Sequence, residues 1–189
     1  MTKDEGFTHQ EIFTTKRLRL RPLKMDDAEA FFAIKSDPEV TGRYGQDPHL
    51  SRAETEAWVQ QCIVEYERYR GIVWALTLKD EDIVIGMCCY WHFESDFRCG
   101  EIGFELGRAY WRKGFMSEAL PPVIGYGFGE LELHRIEACP LASNTPSRNL
   151  LLKLGFIYEG KLRQRVLFRG GFEDQVYYGL LREDWLASR

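Results

Sequence analysis

The sequence predicts a single α+β domain, built on a mixed and mostly antiparallel sheet of about seven strands flanked by about four helices. A length of 189 residues suits one compact domain with one hydrophobic core. The apolar runs succeed one another as strand, helix, helix and three strands, an order that no alternating parallel-sheet scheme gives. No apolar run approaches the roughly 20 residues of a membrane span, so we expect a soluble protein.

The N-terminal stretch is expected to be flexible. Residues 1–14 are polar and lack the basic start and apolar middle of a secretory signal, so we assign the folded domain to residues 15–189. Residues 15–23 then alternate as a strand does, with Leu18 and Leu20 on one face and three arginines on the other.

Two helices follow this strand. Residues 26–29 have the spacing of a capping box and begin a short helix, and residues 51–54 repeat that spacing at the start of a longer helix that Gly71 ends. Between the two helices, residues 37–50 are rich in glycine and proline. This segment is either a loop over a cleft or an idle surface loop.

Three strands in succession form the middle of the chain. Residues 73–78 and 83–91 are apolar and β-branched and predict an antiparallel hairpin, which residues 99–106 extend as a fourth strand. The helix that follows Gly114 carries two consecutive prolines in its second turn. An interior proline costs on the order of 3 kcal/mol, so we expect a kink or a late start there.

The last third of the chain alternates between strand and helix patterns. Residues 134–139 predict a fifth strand, and Thr145, followed by a proline, predicts the N-cap of a helix that Gly155 ends. Residues 156–168 and 172–181 then form two closing strands.

The basic loop Arg112-Lys113-Gly114 joins the fourth strand to this proline-containing helix. A strand that leads through such a loop into a helix N-terminus exposes backbone N–H groups at the positive end of the helix dipole, which favours phosphate. Neither the G-x-x-x-x-G-K-[ST] run nor a G-x-G-x-x-G after a strand is present. The loop therefore predicts an anion cradle of another type.

Composition excludes several classes of function. A formal net charge of −4 argues against a nucleic-acid binder that works through bulk positive charge. The five cysteines form no C-x-x-C pair, which favours reduced, buried thiols in a cytosolic protein. No ligand spacing favours a metal site, and the four scattered histidines suggest no catalytic nucleophile, so we predict neither.

Three blocks of sequence resemble a known family. The runs GEIGFELGRAYWRKGFMSEAL, LHRIEA and NTPSRNLLLKLGFIYEGKLRQR resemble, in this order, the GNAT superfamily of N-acetyltransferases, and most of all its ribosomal-protein N-acetyltransferase branch. The resemblance covers residues 15–185. It implies a GNAT-like fold with a splayed sheet and a cytoplasmic enzyme.

That enzyme is expected to move acetyl from acetyl-CoA to a primary amine by direct attack on the thioester. The acceptor is a protein N-terminal α-amino group or a small-molecule amine, with no direct nucleic-acid or membrane partner. Three points stay open: whether the chain is instead a CoA-binding sensor or interaction module without turnover, whether it takes an acyl chain other than acetyl, and whether it forms a homodimer.

The resemblance also implies the cofactor-binding residues. The family signature [QR]-x-x-G-x-[GA] falls on residues 111–116, where Trp111 replaces Gln or Arg and Met116 replaces the small last residue. The main chain near Phe104 and Leu106 would pair with the pantetheine arm in a gap between the fourth and fifth strands. Asn144 would hydrogen-bond the cofactor or substrate. The pyrophosphate would be bound by backbone N–H groups of Arg112, Lys113, Gly114, Phe115, Met116 and Ser117.

The catalytic candidates are few because the thioester is already activated. The enzyme has to orient an amine, take its proton, stabilise an oxyanion and help a thiolate leave. We favour Glu101 as general base over Glu105, and a purely structural role for both stays open. Leu151 occupies the position of the tyrosine acid of some relatives, so Ser147 is the candidate for assisting the thiolate, with Tyr158 as a weaker alternative.

Overall fold

The computed structural model describes residues 10–94 and 98–187. Within them the chain forms six α-helices: α1 (Ala28–Lys35), α2 (Pro38–Thr41), α3 (Arg52–Glu67), α4 (Phe115–Gly129), α5 (Thr145–Lys153) and α6 (Arg182–Ala187). It also forms eight strands: β1 (Phe13–Thr14), β2 (Leu18–Pro22), β3 (Ile72–Leu78), β4 (Val84–Glu94), β5 (Cys99–Leu106), β6 (Arg135–Ala138), β7 (Ile157–Phe168) and β8 (Gly171–Leu181).

The strands form one sheet in the order β1-β2-β3-β4-β5-β6-β8-β7. Every neighbouring pair is antiparallel except β5 and β6, which run parallel. The predicted α+β class and the mixed, mostly antiparallel sheet are confirmed. The additional elements are short: β1 has two residues, α2 four and α6 six, too few to show a periodic pattern in the sequence.

Helices cover both faces of the sheet and form two apolar cores. The larger core lies under α4 and α5 and includes Trp74, Tyr90 and Ile136, none of which is exposed. The smaller core lies under α1 and α3 and includes Phe31 and Cys89. Full burial of a side chain such as Phe31 stabilises the fold by about 1.5–3 kcal/mol.

The start of the domain differs from the prediction. Residues 10–14 were expected to be flexible, but Phe13–Thr14 pairs with β2 and Gln10 donates from Nε2 to the carbonyl oxygen of Val73 at 2.8 Å. Backbone pairing and a buried amide hydrogen bond fix this segment, so the prediction was wrong for residues 10–14. Residues 1–9 lie outside the described residues.

The first predicted capping box does not form. Asp27 accepts from the backbone N–H of Lys24 at 2.8 Å and binds the guanidinium of Arg21 through both oxygens, at 2.7 and 2.8 Å. Arg21 is only 4% exposed, although it alternates with the buried leucines of β2, and its Nε also donates to Asp82 at 2.8 Å. A buried arginine needs such paired carboxylates, and this need decides where Asp27 points.

The remaining helix starts follow local chemistry closely. Ser51 accepts from the backbone N–H of Glu54 at 3.3 Å, which confirms the predicted N-cap of α3. Helix α4 begins directly at Phe115 and contains both Pro121 and Pro122, so the expected late start was wrong. None of the helices of the described residues is long and apolar enough to cross a membrane.

Candidate active site

A cleft of about 600 Å³ opens where β5 and β6 diverge. Cys99, Gly100 and Glu101 of β5 pair with β6, and among residues 10–94 and 98–187 no other strand pairs with the rest of β5 on that side. Ten of the eleven predicted site residues line this cleft. The exception is Lys113, whose ammonium lies 5.7 Å from the ring centre of Tyr110.

The free edge of β5 is formed by the main chain of alternate residues. The backbone N–H of Gly107 donates to the carbonyl oxygen of Ile85 at 2.8 Å. By the β4–β5 register, every second residue of β5 before Gly107 also directs its main-chain N–H and C=O groups to β4. The main-chain groups of Phe104 and Leu106 therefore face the gap. The carbonyl of Leu106 already accepts from the indole Nε1–H of Trp111 at 2.6 Å, which explains what this Trp does in the signature.

The loop before α4 forms the predicted N–H cradle. Arg112 and Gly114 adopt left-handed conformations, with φ of +58° and +78°. The first helical hydrogen bond is donated by Glu118 to Gly114 at 3.2 Å, and no acceptor in the described part of the chain receives the N–H groups of residues 114–117. Four N–H groups without an acceptor among the described residues, at the start of a 15-residue helix, are an arrangement that favours phosphate.

Arg17, in the bend between β1 and β2, holds this loop in place. Its Nη1 donates to the carbonyl of Lys113 at 2.9 Å, its Nε donates to Glu118 at 2.7 Å, and its guanidinium lies 4.4 Å from the centre of the Phe115 ring. Burial alone would raise the pKa of Glu118, but hydrogen bonds from Thr15 and Arg17 outweigh it and lower that pKa. Sequence reasoning missed Arg17 because its partners lie about 100 residues away.

Met116 departs from the signature without filling the cradle. Its side chain is 8% exposed and its Sδ lies 3.6 Å from the Sγ of Cys88, inside the larger core. A bulky side chain is therefore accommodated at this position because it points into the core.

Asn144 is the N-cap of α5, one residue before the predicted cap Thr145. Its Oδ1 accepts from the backbone N–H of Ser147 at 3.3 Å, and its Nδ2 donates to the carbonyl of Arg43 at 2.9 Å. The side chain thus joins α5 to the segment above the cleft. Its predicted contact with cofactor or substrate stays a prediction.

Residues 37–50 contribute Val40, Arg43, Tyr44 and Gln46 to the wall of the cleft, which confirms the loop-over-cleft interpretation. The segment contains α2 and a 3₁₀ turn and is fixed at several points. Asp37 pairs with Arg108 at 3.0 Å, and the phenol of Tyr44 donates to Glu105 at 2.8 Å. Burial and the nearby Glu105 carboxylate raise the pKa of Tyr44, so it remains a donor at neutral pH.

The two candidate bases have different surroundings. Glu105 is 5% exposed, and its carboxylate is bound by the Lys35 ammonium at 3.0 Å as well as by Tyr44. A buried carboxylate with such partners holds the fold together and is poorly available to a substrate. Glu101 is partly exposed in the cleft, and its Oε2 lies 2.9 Å from Nδ1 of His92, a contact that sequence reasoning also missed.

The two candidates for assisting the leaving thiolate differ in their position relative to the cleft. Ser147 lines the cleft, whereas Tyr158 is 48% exposed and packs edge-on against Tyr178, at 5.7 Å between ring centres. Cys139 also lines the cleft, but burial raises the pKa of its thiol to about 12. Among the residues described, no group of three or more His, Cys, Asp or Glu side chains is arranged to hold a metal ion.

Comparison with known families identifies the family of this chain. Residues 17–157, more than half of the chain, match the model of the acetyltransferase (GNAT) domain. The chain belongs to the GNAT acetyltransferases. Enzymes of this family transfer acetyl from acetyl-CoA to amines, and the free strand edge and N–H cradle described above suit that donor.

Similar proteins agree with this assignment. The N-acetyltransferase YoaA of Bacillus subtilis, described as uncharacterized, is 37% identical over 90% of this chain and 97% of its own. The [ribosomal protein uS5]-alanine N-acetyltransferase of Escherichia coli is 32% identical over 58% of this chain and 57% of its own. The structure of RimL, a ribosomal L7/L12 α-N-protein acetyltransferase in complex with coenzyme A, shares the fold with a TM-score of 0.83 at 19% identity, covering 90% of this chain and 98% of RimL.

Proposed function

We propose that this GNAT acetyltransferase acetylates an α-amino group or a small-molecule amine, with Glu101 as general base and Ser147 assisting the leaving thiolate. The proposal rests on the arrangement of groups in the cleft. A free strand edge and an N–H cradle lie at one end, and beside them lies the Glu101 carboxylate, which no buried cation of the described residues neutralises.

The donor end would be held by the cradle and the strand edge. The N–H groups of residues 114–117 would bind the pyrophosphate, and the main chain of Phe104 would pair with the pantetheine arm. Acetyl-CoA supplies the activated thioester. Arg112, exposed on the same loop and lining the cleft, adds a positive charge near the phosphates.

The acceptor end is walled by aromatic side chains and the covering segment. Tyr44, Trp58 and Trp91 line it, and the Lys35–Glu105 pair closes its floor. An amine entering here loses water, which favours its neutral form, and Glu101 can take the departing proton directly or through a water. The uS5-alanine relative supports an α-amino acceptor for this chain.

Direct attack is favoured over an acyl-enzyme. Cys139 is the thiol within the described cleft, and the raised pKa keeps it protonated at neutral pH, where it is a weak nucleophile. Ser147 sits in the first turn of α5 with a side chain of high intrinsic pKa. Its hydroxyl would therefore stabilise the departing sulfur by a hydrogen bond and keep its own proton.

The experiment is an assay of CoA release with two panels of acceptors, peptides with free N-termini and small primary amines. Amine-dependent release of CoA thiol by the wild type is the expected result. N-terminally blocked versions of the peptides are the control and should give only background release. Tight CoA binding without amine-dependent release would instead support a binding module.

A further inference from the structure

We infer that His92 is a positioning residue for Glu101, an inference that rests on the proposed role of Glu101 as base. His92 Nδ1 and Glu101 Oε2 lie 2.9 Å apart. A carboxylate only accepts hydrogen bonds, so the imidazole donates from Nδ1. No described residue donates to the other carboxylate oxygen, which is left for a substrate amine or a water.

The backbone of β4 is distorted at this position. Trp91 pairs with Glu101 and Glu94 pairs with Cys99, so β4 contains one more residue than β5 between these two pairs. The extra residue forms a β-bulge, and His92 adopts φ of +49° within it. Left-handed backbone is strained for a residue with a β-carbon, and glycine is the usual choice in such a bulge.

The bulge determines where the imidazole points. In a regular strand the side chains of Trp91 and His92 would lie on opposite faces, so only Trp91 would share the face of Glu101. The bulge brings His92 to that face as well. Bulges next to active sites redirect side chains in this way, and here the redirected group contacts the candidate base.

The other described neighbours of Glu101 do not supply this donor. Glu137, its pairing partner on β6, is bound by Arg135 at 2.7 Å. Cys139 and Tyr177 lie close enough to interact with the charge of Glu101, and burial raises the pKa of both, so they keep their protons at pH 7; within the described structure neither donates a hydrogen bond to the Glu101 carboxylate. An exposed hydrogen bond of this kind stabilises a fold little, so its effect is expected in orientation of the carboxylate.

The test compares His92→Asn with His92→Leu. Asparagine tolerates the left-handed backbone and carries its amide nitrogen at about the position of Nδ1, whereas leucine removes the donor. We expect His92→Leu to lower kcat about fivefold with an unchanged KM for acetyl-CoA, because His92 does not line the cleft. His92→Asn should recover most of the rate. His134→Leu, at another exposed histidine, is the matched control and should behave as wild type.

A double variant separates positioning from a general structural effect. If His92 acts through Glu101, adding His92→Leu to Glu101→Gln should change kcat by less than a factor of two. If His92→Leu lowers kcat equally in the wild type and in Glu101→Gln, or if His92→Leu has the wild-type rate, the role of His92 is overturned and the proposed role of Glu101 is unaffected. A wild-type rate for Glu101→Gln would overturn the proposed base and the inference with it. Thermal melting of each variant checks that the fold is retained.

Discussion

Substituting Gly114 with aspartate, and with asparagine as the matched control, separates the charge of the cradle from its backbone shape. Both side chains have nearly the same size, and both tolerate the left-handed backbone that Gly114 adopts at φ +78°. Each therefore costs a similar strain, about 1 kcal/mol. A β-carbon at this position would meet only Nη2 of Arg17, at 3.6 Å, which is ordinary contact.

The expected difference between the two variants comes from the added carboxylate. A negative charge about 5 Å from a phosphate, at an effective dielectric constant of about 20, raises the free energy of the complex by about 3 kcal/mol. Arg17 lies within reach of the new carboxylate and can offset about 1 kcal/mol of this by forming an ion pair. The net cost of about 2 kcal/mol corresponds to CoA binding roughly thirtyfold weaker for Gly114→Asp than for Gly114→Asn.

Isothermal titration of wild type and both variants with CoA measures this difference directly. Raising the ionic strength should narrow the gap between the variants, since salt screens the carboxylate–phosphate repulsion. Pantetheine, which lacks the pyrophosphate, is the ligand control and should bind both variants alike. Equal affinities of the two variants for CoA would refute the assignment of the cradle to the pyrophosphate.

Three further variants test the base, the loop and the pH dependence of the fold. Glu101→Gln should slow turnover at neutral pH. The rate should partly recover at high pH, where the amine loses its proton without a base. A pH–rate profile identical to that of the wild type would exclude Glu101 as base. Arg17→Met should raise the KM for acetyl-CoA about tenfold with little change in kcat, because it loses the bond to the Lys113 carbonyl. Initial rates measure both constants, and an unchanged KM would mean that the loop keeps its shape unaided. The hydrogen bond from Arg21 lowers the pKa of Asp82 below 3.8 in the folded state, so its contribution to stability is present above that value and is lost as the pH falls through the folded pKa. Asp82→Asn should therefore destabilise the fold at pH 7 by less than about 1 kcal/mol, since Asp82 is half exposed. The free energies of unfolding of the two proteins, measured with urea, should converge as the pH falls below the folded pKa of Asp82, and a difference that stays constant with pH would contradict the linkage.

Local patterns in the sequence were sufficient for the long elements. The limits of β5 agree with the strand predicted at residues 99–106, because a half-buried strand shows an alternation of apolar and other residues. The cap at Ser51 was also predictable, since the hydroxyl and the N–H that it accepts from lie three residues apart. At the start of α5 both Asn144 and Thr145 can act as N-cap. Asn144 is the N-cap because its side-chain amide also donates to the carbonyl of Arg43.

Contacts between distant segments were beyond such reasoning. Arg17 and Arg21 both alternate with buried leucines, yet Arg17 binds the loop before α4 and Arg21 is buried between two aspartates. Their partners come from other elements, so no local spacing distinguishes them. His92 is only nine residues from Glu101, but its contact depends on a β-bulge. The bulge position is occupied by His92 and not by glycine, so the sequence does not predict it.

A single strand, β5, relates the two ends of the active site. Its odd-numbered residues direct their side chains to the proposed acceptor side, where Glu101 and Glu105 lie and where Gly103 leaves room for the Trp91 ring. The main chain of its even-numbered residues faces the gap with β6. The register of β5 therefore fixes the position of Glu101, the proposed base, relative to the edge proposed for the pantetheine arm. One residue inserted after Gly103 would shift the free edge by a residue relative to Glu101, so we expect it to abolish turnover even if CoA still binds the cradle.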